Sequence, residues 1–323
     1  MVNVYKAENN ELVKKSLTNS NIKDLNPIET RTWIDLNKPT LEILQSLSKL
    51  TNIPMSLLNS ALDEEESAHI DNEDDNVLIV LDVPYIDKNT SNISTKPFII
   101  AYNSDYFLTI SKYNNTLIPN LLNKVKNLKP QKQLRFTLLI IYNLAKEFIS
   151  TLKHIDSQTK DVEKRLHTSM KNKEIFELMD INKTFVYISN AISANKVILN
   201  KLLKSSLYKK YDEDIDLIED TEVELNQAAE MCNLYRDILA GTMDAFASII
   251  SNNLNIVMKT LTIITIVISI PTLIASIFGM NVDLPFVDEN KYGFYIIIAI
   301  SAVLAILGAI LLIYFTRNKK PKK

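Results

Sequence analysis

Two uncharged apolar runs in the C-terminal part of the chain constrain its fold more than any other feature. They are Leu261–Phe278 and Tyr292–Phe315, and a short acidic loop separates them. A helix rises about 1.5 Å per residue, so about 20 apolar residues cross the hydrocarbon core of a bilayer. The sequence therefore predicts a multi-pass membrane protein with two adjacent transmembrane helices.

The distribution of glycine, histidine and cysteine disfavours an enzyme. The first 240 residues contain no glycine, whereas phosphate-binding loops and dinucleotide fingerprints require it. The three histidines lie far apart in sequence, and Cys232 is the only cysteine, so no zinc motif is formed. Residues 1–15 lack an apolar segment, so we expect no signal peptide. No basic patch indicates nucleic acid as a partner.

The N-terminal third has the mixed pattern of an α/β domain. Short runs rich in β-branched and aromatic residues predict strands, and runs with helical periodicity predict helices between them. The predicted strands are Thr32–Leu36, Val77–Tyr85 and Pro97–Ser111, and the predicted helices are Thr40–Leu50 and Pro54–Leu62.

Beyond Pro130 the sequence predicts a few very long helices. No proline follows until Pro271, and Gly241 is the only glycine in that stretch. We expect breaks near 170–172 and 205–214. The last of these helices is then predicted to run from about Asp216 through the first apolar run to Phe278.

Charge around the two apolar runs predicts their orientation. The tail after Phe315 carries five cations, whereas the loop between the runs carries Lys291 against three acids. Basic flanks stay on the cytoplasmic side, so both termini are expected in the cytosol. The loop acids either concentrate cations or are an ordinary solvated turn; they are Asp283, Asp288 and Glu289.

The polar residues of the first apolar run recur at spacings of three and four. They form one helix face, here called the hydroxyl face, which consists of Thr262, Thr265, Ser269, Thr272 and Ser276. Such a face serves either to pack helices through small hydroxyl residues or to line a pore formed by several copies of the chain. The periodicity alone leaves both interpretations open.

Three short segments resemble the CorA family of magnesium transporters. They are Gly279-Met280-Asn281, here called the GMN tripeptide, together with Tyr235–Leu239 and Val257–Ile264. Ile79–Leu81 is similar but less specific. The resemblance implies an α+β membrane protein of the bacterial or archaeal plasma membrane. Its parts would be an N-terminal α/β sandwich domain, a long helical stalk and two C-terminal transmembrane helices, assembled as a funnel-shaped homopentamer.

The resemblance also implies boundaries for these parts. The expected segments are a cytosolic α/β domain at 1–130, the helices of the funnel stalk at 131–260, a pore-lining transmembrane helix at 261–278, an extracytoplasmic loop at 279–291, a second transmembrane helix at 292–315 and a basic cytosolic tail at 316–323.

The resemblance further implies a pathway for hydrated Mg²⁺. Gly279, Met280 and Asn281 would form the selectivity filter, with Asn281 as a ring of amide oxygens at the outer mouth. The hydroxyl face would line the pore, with Thr272 and Ser276 in its outer part. The cytosolic constriction would be formed by Asn255, Met258 and Leu261. Neutral oxygens can bind a hydration shell without trapping the ion, and Co²⁺ or Ni²⁺ would be lesser cargoes.

A regulatory magnesium site is implied by the same resemblance. Asp220 matches the acidic residue of the family's stalk, and Ser60 stands where its acidic partner is expected. Asp63, Glu64, Glu65 or Glu66, in a nearby acidic cluster, could supply the missing carboxylate. The alternative is that these acids form a solvated helix face.

The sequence is also compatible with two other functions, zinc transport and a scaffold or sensor without a pore. Relatives of this architecture carry zinc, some of them coupled to protons. A chain with no pore would be a tail-anchored scaffold or sensor, although a mere anchor has no reason to align five polar groups on one face.

Overall fold

A computed structural model describes residues 2–8, 11–17, 31–87, 90, 92–125, 128–169, 172–204, 214–280 and 292–317. The chain divides into two compact units, Met1–Gly241 and Thr242–Lys323. Each unit is described by itself.

The first unit is built on a seven-stranded mixed sheet with the order β2-β1-β3-β7-β6-β5-β4. Neighbouring strands are antiparallel except β3 and β7, which pair in parallel. The strands are β1 (Val2–Glu8), β2 (Glu11–Leu17), β3 (Thr32–Asn37), β4 (His69–Glu73), β5 (Asn76–Ile86), β6 (Ile93–Tyr102) and β7 (Tyr106–Ser111).

The described residues of the two units contain seven α-helices. They are α1 (Leu41–Thr51), α2 (Met55–Leu58), α3 (Leu117–Lys124), α4 (Gln133–Ser169), α5 (Asn172–Lys204), α6 (Ile215–Phe278) and α7 (Gly293–Arg317). A 3-10 turn, Asn59–Leu62, continues α2. These are the α-helices of the residues that the structure describes.

Helices cover both faces of the sheet, so the first unit is an α/β sandwich. On one face, Ile43 and Leu47 of α1 are fully buried in a core with Ile34 and Leu108 of the central strands. Strand side chains alternate between faces, so the neighbouring aromatic residues point the other way. There Trp33 and Phe107 pack edge to face against Phe136 of α4, at ring centroid distances of 4.9 and 4.8 Å.

The strand predictions are confirmed in part. Strands β3 and β5 occupy the predicted positions, but the predicted strand Pro97–Ser111 is two strands joined by a turn. The turn forms because the side-chain oxygen of Asn103 accepts hydrogen bonds from the backbone N–H groups of Asp105 and Tyr106, at 3.1 and 3.0 Å. Strands β1, β2 and β4 and helix α3 were not predicted.

The helix predictions are confirmed in position. Helices α4, α5 and α6 end and begin near the expected breaks, and α6 contains Pro271 within its length. Its first turns pack on the first unit through buried Leu225 and Cys232. The Cys232 thiol donates to the carbonyl of Phe185 at 3.4 Å, and burial raises its pKa to about 11. Cys232 is therefore a packing residue.

The second unit contains the two apolar helical segments. Both α6 and α7 are long and apolar enough to cross a membrane, with mean hydropathies of 2.4 and 3.2 over their most apolar windows. In α7, exposed Phe294 and Tyr295 lie near one end and exposed Tyr314 near the other. Twenty helical residues span about 30 Å, so these rings would sit at the two interfaces of a bilayer.

Candidate functional site

The hydroxyl face lies on a side of α6 that the other described residues of the second unit leave uncovered. All five of its residues are exposed in the single chain. The half-buried residues of this stretch lie on the other side of α6, where Ile270 lies beside Gly308 of α7, and they are Ile263, Val267, Ile270, Pro271 and Ile274. At about 100° per residue, the centres of the two faces lie roughly 160° apart around α6. Helix α7 therefore covers the back of the hydroxyl face.

The hydroxyl protons of this face are already used within α6. Thr262, Thr265, Ser269 and Thr272 each donate to the backbone carbonyl four residues earlier, at oxygen–oxygen distances of 2.8, 2.9, 2.8 and 2.9 Å. This bonding satisfies the hydroxyl in an apolar setting. Because a hydroxyl oxygen keeps its acceptor lone pairs, the outward side of each of these groups can only accept hydrogen bonds.

The predicted cytosolic constriction lies on the same side of α6 as the hydroxyl face. Asn255, Met258 and Leu261 are exposed in the single chain, Met258 by 53% and Leu261 by 56%. Their spacing continues the three-and-four repeat. Towards its cytosolic end, beyond Thr262, this face of α6 therefore bears the apolar side chains of Leu261 and Met258 in place of hydroxyl groups.

The GMN tripeptide begins where α6 ends. The backbone N–H of Gly279 donates to the carbonyl of Ala275 at 2.9 Å, and that of Met280 donates to Ile277 at 3.3 Å. A Cβ on Gly279 would lie 3.1 Å from the Ala275 oxygen, so the close turn favours glycine. Asn281 lies outside the described residues, and so do the loop acids Asp283, Asp288 and Glu289.

Asp220, the proposed regulatory residue, is exposed on α6 beside a lysine of α4. The Lys146 ammonium group lies 2.5 Å from the Tyr142 hydroxyl and 3.8 Å from a Glu224 carboxylate oxygen. Hydrogen bonding to Tyr142 raises the pKa of Lys146, and the charges of Glu224 and Asp220 add to this. Lys146 was not predicted as part of this site, because the acidic residues near it lie far along the chain on another helix.

The candidate partners of Asp220 already have contacts of their own. Asp63 accepts a hydrogen bond from the backbone of Glu65 at 2.9 Å. Glu64 lies 3.5 Å from Lys96 and 3.3 Å from Lys112, and these lysines lower its pKa. Among the described residues, no group of three or more His, Cys, Asp or Glu side chains could hold a metal ion. The structure of one chain therefore does not bring the predicted regulatory residues together as a metal site.

Comparison with known proteins gives the family. The family model described as CorA-like Mg²⁺ transporter protein matches residues 29–320, which is most of the chain. The chain belongs to this CorA family. Membership in a family of membrane transporters agrees with the two apolar helices and with the expectation of a non-enzyme.

Relatives and solved structures support the same family. The cobalt/magnesium transport protein CorA of Methanocaldococcus jannaschii is 26% identical over 306 residues, covering 93% of this chain and 94% of the relative. The complete structure of the CorA magnesium transporter from that organism superposes with a TM-score of 0.80 at 23% identity, covering 99% of this chain and 98% of that one. The fold is thus that of a full-length CorA chain.

A further solved structure has a similar fold over much of this chain. The cytoplasmic domain of ZntB from Vibrio parahaemolyticus superposes with a TM-score of 0.59 at 15% identity, over 78% of this chain and 97% of that one. The CorA match is better in both TM-score and coverage of this chain.

Proposed function

We propose that this CorA-type chain forms a passive channel for hydrated Mg²⁺, assembled as a homopentamer in the plasma membrane. The observation that carries the proposal is the position of the hydroxyl face on the side of α6 opposite α7. A single helical hairpin cannot enclose water. Several copies with this face turned to a common axis would line a polar path, while their α7 helices would face lipid.

The hydrogen bonding of the hydroxyl face suits a hydrated cation. The waters around Mg²⁺ turn their oxygens to the ion and their hydrogens outward, so the complex presents only donors. Four of the hydroxyls present only acceptors, because their protons are bound to α6 itself. Mg²⁺ gives up water reluctantly, so a path that accepts from the intact shell avoids the cost of dehydration. The uncharged oxygens of Gly279-Met280-Asn281 would select the ion at the outer mouth.

The membrane potential supplies the driving force in this proposal. Each elementary charge gains about 2.3 kcal/mol per 100 mV of membrane potential. A divalent ion that enters a negative interior therefore gains about 4.6 kcal/mol at 100 mV. No nucleotide is needed. The cations of the basic tail, 316–323, support a topology with both termini in the cytosol, in which the GMN tripeptide would lie outside.

The apolar part of the α6 face would form the gate. In an assembly, rings of Met258 and Leu261 would narrow the path and exclude water when closed. Asn255 would lie at the cytosolic end of this gate. Cytosolic Mg²⁺ would favour the closed state by binding Asp220 together with an acid such as Asp63 or Glu64 from a neighbouring copy. That ion would have to compete with Lys146, Lys96 and Lys112 for these carboxylates.

Zinc transport is the second candidate function, and the ZntB fold similarity favours it over a scaffold. Co²⁺ and Ni²⁺ would share the Mg²⁺ path, because hydroxyl and amide oxygens distinguish divalent ions of similar hydrated size poorly. The intact GMN tripeptide favours Mg²⁺.

Ion uptake into liposomes that contain the purified protein tests this function. Mg²⁺, Co²⁺ and Zn²⁺ should be compared under an inside-negative potential for the wild type and for Asn281→Ala. We expect potential-driven Mg²⁺ entry that the variant loses. Zn²⁺ entry that follows a proton gradient and excludes Mg²⁺ would assign the zinc function instead, and no flux of any ion would contradict both.

A further inference from the structure

Helices α6 and α7 are in side-chain contact at Gly308. A Cβ atom built on Gly308 would lie 2.9 Å from the terminal Cδ1 atom of Ile270, so the end of that side chain would have to shift. Gly308 lies on the α7 face that also contains Ser301 and Ala305, which are 9% and 7% exposed. Small residues at such a contact let two helix backbones approach closely.

The contact lies beside the weakest point of α6. Pro271 follows Ile270 and has no backbone N–H, so the Val267 carbonyl lacks its usual partner four residues later. Helices bend most readily at such positions. Pro271 is half-buried, and so is its neighbour Ile270. The bracing contact and the missing hydrogen bond therefore occur within one turn of α6.

The outer part of the hydroxyl face starts immediately after this point. Thr272 follows Pro271, and Ser276 lies one turn further. Any change in the bend at Pro271 would rotate or tilt these two hydroxyls relative to Thr265 and Ser269. A change in the contact at Gly308 would therefore reach the outer hydroxyls through the bend at Pro271.

We propose that Gly308 is a positioning residue for ion conduction. Its missing side chain lets α7 brace α6 at Pro271 and keeps Thr272 and Ser276 in line with the rest of the path. The proposal rests on the channel function proposed above. It concerns a residue that does not touch the ion and acts only through Ile270.

The test replaces Gly308 with a larger residue and then shortens the Ile270 side chain, which the larger residue would contact. We expect Gly308→Val to lower Mg²⁺ flux per assembled protein by about tenfold, which corresponds to about 1.4 kcal/mol of overpacking. Gly308→Ala should give an intermediate loss, because the Cδ1 atom of Ile270 can move partly aside. Adding Ile270→Ala to Gly308→Val should restore most of the flux.

A matched control adds the same bulk elsewhere on α7. Ala302 is exposed in the second unit, so Ala302→Val should leave flux and assembly unchanged. The proposal is contradicted if the wild type conducts and Gly308→Val conducts equally well. It is also contradicted if assembly is normal and Ile270→Ala does not rescue. Absence of wild-type flux would contradict the channel function itself, so the two failures are distinguishable.

Discussion

At the scale of single residues, Asn195 shows how one side chain joins α5 to the sheet. Its side-chain oxygen accepts from the backbone N–H of Asp82 at 3.0 Å, and its Nδ2 donates to the Asp82 carbonyl at 2.7 Å. Strand β4 pairs with β5 only as far as Val80. Asn195, which is fully buried, therefore replaces the missing strand at Asp82 and prevents two backbone groups from being left unsatisfied.

The side chain of Asp82 gives a pH prediction. Burial raises its pKa from 3.8 to about 6. The folded state therefore holds this proton more tightly than the unfolded state, so the stabilisation is present below pH 3.8 and is lost as the pH rises through about 6. We expect Asp82→Asn to raise the thermal unfolding midpoint, relative to wild type, more at about pH 8 than at about pH 4.

Thermal unfolding of the detergent-purified protein at both pH values measures this difference. Asp71→Asn on strand β4, where the side chain is exposed, serves as the control. A difference between Asp82→Asn and wild type that does not change with pH would contradict the assignment.

At the scale of the secondary-structure elements, two ion pairs fasten the start of α6 to α4. Arg135 lies 2.8 Å from Asp214, and Lys146 lies 3.8 Å from Glu224. From the first pair to the second, the paired residues lie about three turns further along both α4 and α6. The two helices therefore run parallel here. The two pairs differ in burial, because the Asp214 side chain is 2% exposed and that of Glu224 is 23% exposed.

This difference predicts unequal effects of removing the two cations. Arg135→Met leaves a buried carboxylate without its partner, so we expect it to lower the free energy of unfolding by about 3 kcal/mol. Lys146→Met removes a partly solvated pair, and we expect a loss of about 1 kcal/mol or less. Chemical denaturation followed by circular dichroism compares them. Equal losses would show that burial does not decide the strength of these pairs.

The elements also show what the sequence could predict. Helices α4, α5 and α6 were predictable because proline and glycine are nearly absent between their breaks. Strands β1 and β2 were missed although polar residues such as Asn3 and Lys6 alternate with apolar ones, as in a half-buried strand, because the stretch was interpreted as a polar terminus. Strand β4 is mostly exposed and acidic, so its pairing with β5 gave no sequence signal.

At the scale of the whole molecule, the sequence predicted the hydroxyl face but not its surroundings. A spacing of three and four places residues on one face of any helix. The contact of α6 with α7 at Gly308 was not predicted, because helix packing of this kind has no periodic signal in a uniformly apolar segment. The regulatory residues were identified by resemblance alone, and their lysine partners required the structure.

Cysteines introduced at two adjacent positions of α6 test whether the hydroxyl face lines the ion path. Thr265→Cys places a thiol on this face, and Ile264→Cys places one about 100° away, on a surface that is 50% exposed in the single chain. Cys232 is buried and supplies no background reaction.

Each variant in liposomes is treated with a charged, thiol-specific methanethiosulfonate reagent while Mg²⁺ flux is recorded. We expect the reagent to block flux in Thr265→Cys and to leave flux in Ile264→Cys unaffected. Block of Ile264→Cys alone, or no block of either variant in a conducting protein, would contradict it.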